Sequence, residues 1–455
     1  METHKYFFHE AHFASLPNKS NVYLLANLRT ASGYSKVLVA PIKGKACTVE
    51  YAQHRGEFRP EEVEFAYIPD DAELIAIHSF CKSKDEGLVI AVTLVKDYNS
   101  VKPTYCLNIY RPWESGSEFN VESISKNFCT IELDFIPHFI FSGSLFNKDG
   151  ETEAMILLSS NDNKVEIFQE DKDVANRWNR CDSPDAFPEF HSLPSVLLWF
   201  HSKILDGKQR LTAVGCQDGY LRLCLVSLET NEIITQWECQ HDSAITCVQL
   251  FTERSCQEPA ASKDSGSLEK VQVDFNLVVT SAMEISVIYR NVLQNGFTEQ
   301  LLLEDSDKYD CTLCACVADI DWDGEHEILI GTYGQELLAY KLKAAPSEDG
   351  SPCTPVKPSQ PPSDQTTLEN DNVFDPPKES QCKPSYELIW KRSFGHPLLT
   401  MQYMDVTGDG LGELVVVSTK GIHILQHNLS DAADILMERL MMQDSTCSSL
   451  EDTND

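Results

Sequence analysis

Short apolar runs recur in pairs along this chain, each pair joined by a polar or glycine-containing turn. The pairs begin near residues 36, 88, 154, 211, 276, 327 and 413, about 51 to 66 residues apart except for a last gap of 86. Runs of this length, rich in Val, Ile and Leu, are typical of β-strands. A repeated strand–turn–strand unit predicts an array of equivalent sheets. We therefore predict an all-β, seven-bladed β-propeller with four strands per blade; two separate β-domains of similar strand composition are the alternative.

Two polar stretches interrupt the repeat, at about 254–271 and about 344–384. The longer one is crowded with Pro, Ser and acidic residues, so it cannot bury enough apolar surface to offset the entropy of ordering. We predict both to be disordered inserts. On this division, residues 1–19 are an N-terminal extension, 20–429 form the propeller, and 430–455 form a short amphipathic helix and an acidic disordered tail.

Both ends of the chain carry a structural prediction. Propellers remove an exposed sheet edge by pairing strands from the two chain ends, so we expect residues 20–28 to pair beside the strand starting at Gly421. The C-terminal helix should begin at Ser430, a suitable N-cap. Its apolar stripe should pack either on the propeller itself or on another subunit. That stripe consists of Ile435, Leu436, Leu440 and Met441.

Two stretches of the chain are copies of one acidic turn, DIDWDGEHE from Asp319 and DVTGDGLGE from Asp405. Gly324 and Gly410 follow position 5, where the backbone is expected to need a positive φ. An eroded third copy keeps Asn147, Asp149, Gly150 and Glu153. Oxygen-bearing side chains occupy positions 1, 3, 5 and 9 of the two clear copies: Asp319, Asp321, Asp323 and Glu327, then Asp405, Thr407, Asp409 and Glu413.

These turns admit two interpretations. Alternate residues of a tight turn can aim several carboxylates at one point, which suits a hard, oxygen-bound cation such as Ca²⁺. Alternatively, the first Asp caps the turn by accepting hydrogen bonds from backbone N–H groups, and no metal is involved. The second turn carries fewer carboxylates than the first, because Thr407 stands at position 3.

Charge and composition exclude some classes of partner. Lys and Arg total 37 against 70 Asp and Glu, a net charge of −33. Such a surface repels nucleic acid and anionic membranes. No run of 18 apolar residues occurs and the first residues do not resemble a signal peptide, so we expect a cytoplasmic chain without direct membrane insertion.

The 16 cysteines are scattered, mostly within apolar runs, where a reduced thiol behaves as a small core residue. Cys311, Cys314 and Cys316 cluster, but a zinc site would need a second ligand pair, and none is found at a suitable spacing. The chain also lacks a GxSxG elbow, a GxxxxGK[ST] phosphate loop and a GxGxxG turn. We expect no enzyme and no required cofactor, with a hydrolase in the central channel as the alternative.

The acidic turns resemble the FG-GAP repeats of integrin α-subunit propellers, in which DxDxDG-type turns precede a strand. A more extensive resemblance covers about residues 20 to 430. Collinear strings such as FAYIPDDAELIAI, LNIYRPWESGSEFNVESI and VGCQDGYLRL are similar to the kaptin family.

This resemblance implies a scaffold subunit of the KICSTOR complex. Such a subunit would assemble with a second FG-GAP-type propeller and a large scaffold. It would help to recruit the Rag-GTPase-activating complex to the lysosomal surface, and so restrain mTOR-complex signalling on amino-acid or glucose deprivation. The family's alternative association is with actin filaments of lamellipodia and stereocilia. An acidic chain with no sizeable basic patch favours the signalling role over direct binding to acidic actin filaments.

Overall fold

The structure, a computed structural model, describes residues 8–29, 35–81, 87–111, 125, 127–146, 152–174, 177–181, 184–253, 274–343, 384–435, 437 and 441. Its 28 strands form seven four-stranded antiparallel sheets. The innermost strands pack against each other from blade one through blade seven, and one apolar cluster joins blade seven to blade one, so the sheets form a ring of blades. The predicted seven-bladed β-propeller is confirmed.

Blades one to four are built from consecutive strands. Blade one comprises β2 (Leu25–Arg29), β3 (Ser35–Val39), β4 (Ala46–Ala52) and β5 (Glu57–Val63). Blade two comprises β6 (Glu73–Cys81), β7 (Leu88–Lys96), β8 (Thr104–Tyr110) and β9 (Phe128–Leu133). Blade three comprises β10 (Pro137–Phe146), β11 (Thr152–Ser160), β12 (Val165–Glu170) and β13 (Trp178–Arg180). Blade four comprises β14 (Leu197–Leu205), β15 (Gln209–Cys216), β16 (Tyr220–Ser227) and β17 (Ile233–Gln240).

The remaining blades complete the ring, the last with strands from both chain ends. Blade five comprises β18 (Ile245–Thr252), β19 (Phe275–Ser281), β20 (Val287–Tyr289) and β21 (Gln300–Leu302). Blade six comprises β22 (Thr312–Ala318), β23 (Glu327–Thr332), β24 (Glu336–Lys343) and β25 (Ser385–Ser393). Blade seven comprises β26 (Leu398–Met404), β27 (Glu413–Ser418), β28 (Gly421–Gln426) and β1 (His9–Ser15). Helix α1 is Val292–Asn295, and α2 covers residues 429–435.

The apolar pairs of the sequence are the second and third strands of each blade. The second strand has a blade packed on each of its faces, so both sets of its side chains are apolar. In β7, eight of nine residues are buried. The fourth strand faces solvent on one side, and β17 accordingly alternates half-buried and exposed residues. Burial on two faces therefore explains why the apolar pattern detects the second and third strands of each blade and not the outer, fourth strand.

The ring closes through a different strand from the one predicted. Residues 20–28 do not pair with the last blade; Leu25–Arg29 is the innermost strand of blade one and pairs with β3. The closing strand is β1, antiparallel to β28, so the propeller begins within the predicted N-terminal extension. The prediction was wrong because β1 is an outer strand whose residues are mostly exposed or half-buried, which leaves no apolar run to detect.

Side chains reinforce this closure. The Glu10 carboxylate lies 2.7 Å from Nδ1 of His423 on β28 and accepts a 3.0 Å hydrogen bond from Arg392 on β25. Just before β1, Phe8 is buried, with its ring centroid 4.3 Å from that of His427. The chain's first described residues are therefore anchored to blades six and seven.

The cysteine prediction is confirmed for the strands. Cys106, Cys129, Cys216, Cys224 and Cys247 all lie in strands, and all except the half-buried Cys129 are buried. Within the cluster, Cys314 and Cys316 lie buried in β22, whereas Cys311 precedes that strand. Burial raises the pKa of the Cys316 thiol to about 12, so it is a protonated core side chain at neutral pH.

Some predictions fall partly or wholly outside the described residues. The two inserts lie in 254–273 and 344–383, which the structure does not describe. The C-terminal helix is present, with Ile435 half-buried and Met441 exposed, but Leu436 and Leu440 are not described. Among the helices described, none has the length and apolar composition needed to cross a bilayer.

Candidate functional site

The first acidic turn connects β22 to β23 in blade six and is stabilised by its own carboxylates. Asp319 Oδ2 accepts a 2.9 Å hydrogen bond from the N–H of Gly324, which has a φ of 91°. Glu327, the first residue of β23, is fully buried and accepts a 2.8 Å bond from the N–H of Ile320. The turn therefore uses its first and ninth positions to cap backbone donors, as the turn-cap interpretation requires.

Lys341 on β24 places a positive charge inside this turn. Its Nζ lies 2.6 Å from Asp321 Oδ2, 2.7 Å from Asp323 Oδ2 and 2.8 Å from Glu327 Oε1. The β23–β24 register pairs Ile328 with Tyr340, so Lys341 lies directly across from Glu327. The hairpin thus delivers one ammonium group to three carboxylates.

Burial and charge shift the pKa values of these groups. Burial raises the pKa of Glu327 to about 7, and Lys341 only partly opposes this effect. The pKa of Lys341 rises despite its partial burial, because Asp321, Asp323 and Glu327 all favour the charged ammonium. Burial also raises the pKa of Asp319, with further contributions from Asp323 and Asp321. The first turn is therefore an ion cluster in which carboxylates compete for one lysine.

The second acidic turn connects β26 to β27 in blade seven and has no lysine at the corresponding place. Asp405 accepts hydrogen bonds from three backbone N–H groups, those of Gly408, Asp409 and Gly410, at 2.6 to 3.2 Å. Gly410 has a φ of 90°. In this turn the backbone N–H groups stabilise the negative charge of the Asp405 carboxylate.

Glu413, at position 9 of the second turn, is also satisfied by neutral groups. Its carboxylate accepts bonds from the N–H of Val406 at 2.8 Å, the hydroxyl of Thr407 at 3.0 Å and the Gln426 amide at 3.4 Å. Because Leu414 pairs with Leu425, Gln426 lies across from Glu413 as Lys341 lies across from Glu327. Burial raises the pKa of Glu413, and the hydrogen bonds from Val406 and Thr407 only partly oppose this effect.

The eroded third copy is only partly visible. Asn147, Asp149 and Gly150 lie outside the described residues. Glu153 lies on β11, where it accepts a 2.7 Å bond from the amide of Gln169. The position-9 glutamate of all three copies therefore has a partner on the following strand.

Among the described residues, one group of side chains has the spacing of a metal site: Asp319, Asp321 and Glu327, whose ligand atoms lie within 4.8 Å of one another. Calcium binding at this turn, which the spacing of its acidic residues suggests, stays a prediction, and the Lys341 ammonium already lies among these carboxylates. Calcium binding at the second turn stays a prediction. Lys341 itself was missed at first because it lies beyond the repeated motif; the register of the predicted hairpin would have identified it.

An aromatic cluster crosses the centre of the ring. The Tyr23 hydroxyl, before β2 of blade one, donates a 3.0 Å hydrogen bond to the carbonyl of Leu198 on β14 of blade four. The Phe139 ring lies beside both Tyr23 and Trp199, 5.2 Å from each, and those two rings are 6.0 Å apart. Blades one and four lie on opposite sides of the ring, so these rings span the central channel. At this level the channel is packed with side chains.

A wedge formed by residues 184–193 separates blades three and four. Phe187 and Phe190 are buried beside β10, where a Cβ on Gly143 would lie 2.8 Å from the Phe187 ring. Arg210 and Glu189 form a buried ion pair at the base of the wedge, 2.7 Å apart. A cavity of about 140 Å³ remains between β10, β14 and the wedge. The wedge thus adds to the packing between the two blades, whose inner strands also touch directly through Phe141 and Phe200, with ring centroids 3.9 Å apart.

Comparison with known proteins gives one family. The family model described as "KICSTOR complex protein kaptin" matches residues 8–437. A mouse protein named KICSTOR complex protein kaptin is 36% identical over 438 residues, covering 95% of this chain and 91% of its own length.

Solved structures show a likeness of fold alone. The structure of BBS1N in complex with ARL6DN has a TM-score of 0.50 at 8% identity, covering 93% of this chain and 98% of that one. A second structure of the same complex, soaked with lead, also gives 0.50 at 8% identity, with 97% of that chain covered.

Proposed function

Because the chain belongs to the family of KICSTOR complex protein kaptin, we propose that it is a non-catalytic scaffold subunit of a KICSTOR complex. In this role it helps to recruit the Rag-GTPase-activating complex to the lysosomal surface. It thereby restrains mTOR-complex signalling when amino acids or glucose run short. Its partners within the complex are a second FG-GAP-type propeller and a large scaffold.

The observation that carries this proposal is the extent of the family match. The match to residues 8–437 begins at the first described residue, includes β1 and continues through helix α2. The similarity therefore covers the complete ring, including the closing strand, and not one repeat that any propeller could share. Relatives that are similar over the whole ring can also share the surface with which they assemble.

The architecture supports a role in presenting surfaces. Seven blades pack into a closed ring whose centre is crossed by Tyr23, Phe139 and Trp199, so the outer strands and the connecting turns provide the accessible surface. Exposed apolar side chains occur singly on several blades and can be tested one at a time. They include Val101, Val174, Ile234, Met283 and Tyr333.

The first experiment is affinity purification of the tagged chain from nutrient-starved and fed cells, followed by mass spectrometry. The proposal predicts recovery of a second FG-GAP-type propeller and a very large scaffold in near-equal amounts. Recovery of actin and its crosslinkers without those subunits would instead support the cytoskeletal role. Recovery of the chain alone would contradict both.

A surface scan would then locate the contact. Single Asp substitutions at the exposed apolar positions named above should leave the melting temperature unchanged, because exposed side chains contribute little to stability. Loss of the co-purifying subunits from one variant, with the others unaffected, would assign the interface to that blade. A matched loss from every variant would indicate a general solubility effect and no specific contact.

A further inference from the structure

We propose that the ammonium group of Lys341 is the resident cation of the first acidic turn and holds the place that a divalent cation would otherwise take. This inference is independent of the proposed scaffold role. It makes the wild-type protein indifferent to calcium at blade six, and it predicts that removing one side chain creates a calcium site there.

The ammonium group matches its surroundings in number and distance. An ammonium carries three N–H donors and no acceptor. Three carboxylate oxygens, from Asp321, Asp323 and Glu327, lie 2.6 to 2.8 Å from Nζ. Asp321 and Asp323 accept charge-assisted hydrogen bonds from Nζ, and Glu327 lies at ion-pair distance from the same group.

The position of Lys341 is fixed by the fold. It lies on β24, across from Glu327, and its side chain is 21% exposed whereas that of Glu327 is 0% exposed. A fully buried carboxylate beside two others is costly without a nearby positive charge. The positive charge of Lys341 therefore offsets the cost of burying Glu327 beside the other carboxylates of the turn.

The second turn shows how the same spacing behaves without a lysine. It has three carboxylates where the first has four, and Gln426 stands at the position of Lys341. Its carboxylates are satisfied by backbone N–H groups, by Thr407 and by the Gln426 amide. The two turns share the motif but not the lysine. The larger number of carboxylates in the first turn therefore explains why a lysine lies there.

Removing the ammonium would leave a cluster suited to a hard cation. The buried Oδ1 of Asp319 makes no hydrogen bond, and ligand atoms of Asp319, Asp321 and Glu327 lie within 4.8 Å of one another. Ca²⁺ binds six to eight oxygens at about 2.3–2.6 Å, so one ion can contact oxygens separated by that distance. Without the ammonium, Asp321, Asp323 and Glu327 would lack a cation, and Asp319 lies beside two of them.

The test compares wild-type protein with Lys341→Met and Lys341→Gln, in calcium, in magnesium and in a chelator. The Gln variant has the residue found at this position in blade seven, where it is compatible with the fold. It therefore serves as a second test if the Met variant folds poorly. Lys343→Met is the matched control, because Lys343 lies on the same strand and pairs with Glu387 outside the turn.

Thermal melting gives the first readout, at a mildly alkaline pH, which favours the ionised carboxylates. Millimolar calcium should raise the melting temperature of both Lys341 variants by about 2 °C or more, as expected for a ligand that binds only the folded state. Wild type and Lys343→Met should lack this increment, because calcium can act in them only at the second turn. Adding Asp321→Asn to either Lys341 variant should abolish it.

Terbium luminescence gives a local readout, because Trp322 lies within the turn and can sensitise a bound lanthanide. Sensitised emission should appear in the Lys341 variants and not in wild type, and it should disappear with Trp322→Phe. Equal calcium shifts in wild type and variants would overturn the proposal, since the ammonium would then yield to the ion. Folded Lys341 variants with neither shift nor emission would also overturn it.

Discussion

The two acidic turns, in blades six and seven, share spacing and backbone shape but balance their charge differently. Both have glycine at position 6 with φ near 90°, and both end in a buried glutamate that begins a strand. In the first turn Lys341 contacts three carboxylates. In the second, Asp405 accepts hydrogen bonds from three backbone N–H groups, and Glu413 accepts hydrogen bonds from neutral donors.

The difference lies in the residue across the hairpin. Lys341 faces Glu327, and Gln426 faces Glu413. A motif of alternating acids therefore specifies the path of the backbone, while the following strand decides whether the acids meet a cation or an amide. Inferring metal binding from the motif alone omits the side chain that determines it.

The largest expected effect tests a further difference between the two blades, because blade seven contains the strand β1 from the N-terminal end and blade six does not. Phe8→Ala should destabilise the protein by about 3–5 kcal/mol, since it removes a buried aromatic ring that packs on His427. Phe13→Ala, at a position that is 45% exposed, should cost less than about 1 kcal/mol. Urea denaturation would measure both.

Hydrogen exchange would sharpen this prediction. In the Phe8→Ala protein, amides of β27 and the second turn should lose protection before those of β23 and the first turn, because β28 loses its outer neighbour. Equal loss in both blades would show that the closure does not act locally.

The next effect comes from replacing the residue across each hairpin with an apolar side chain. Lys341→Met should cost about 2–3 kcal/mol without calcium, because it leaves three carboxylates without their cation, one of them fully buried. Gln426→Leu should cost about 1 kcal/mol or less, since it removes a single 3.4 Å bond to Glu413. Chemical denaturation in a chelator measures the pair. Similar costs would mean that Lys341 contributes as little as a neutral partner.

How far the sequence predicts this molecule depends on which side chains face the core. The inner strands are visible because both of their faces are buried, as in Leu88–Lys96. The closing strand His9–Ser15 is mostly polar because one face meets solvent, so its pairing with Gly421–Gln426 depends on the ring being complete. The Asp and Glu positions of the turns follow from the repeat. Lys341 does not, because its role depends on strand register.

A smaller effect should be the same in both turns. Gly324→Ala and Gly410→Ala each place a side chain at a φ near 90°, with open space around the new Cβ. The cost is therefore backbone strain alone, about 1–2 kcal/mol in each turn. Thermal melting of the two variants would test whether the backbones are equivalent. A cost confined to one turn would show that the turns differ in more than charge.

The smallest effect compares the caps at position 1 of the two turns, where Asp319 also meets repulsion from its neighbours. Asp405→Asn should cost about 1 kcal/mol, because its two oxygens accept three N–H groups and an amide offers only one oxygen. Asp319→Asn should change stability by less than about 0.5 kcal/mol, since the lost charge relieves repulsion from Asp321 and Asp323, which helps to raise the pKa of Asp319. Urea midpoints of the two variants would give the comparison. If Asp319→Asn proved the costlier change, the hydrogen bond that Asp319 accepts from Gly324 would outweigh the repulsion, and the charge of the first turn would not set its energetics.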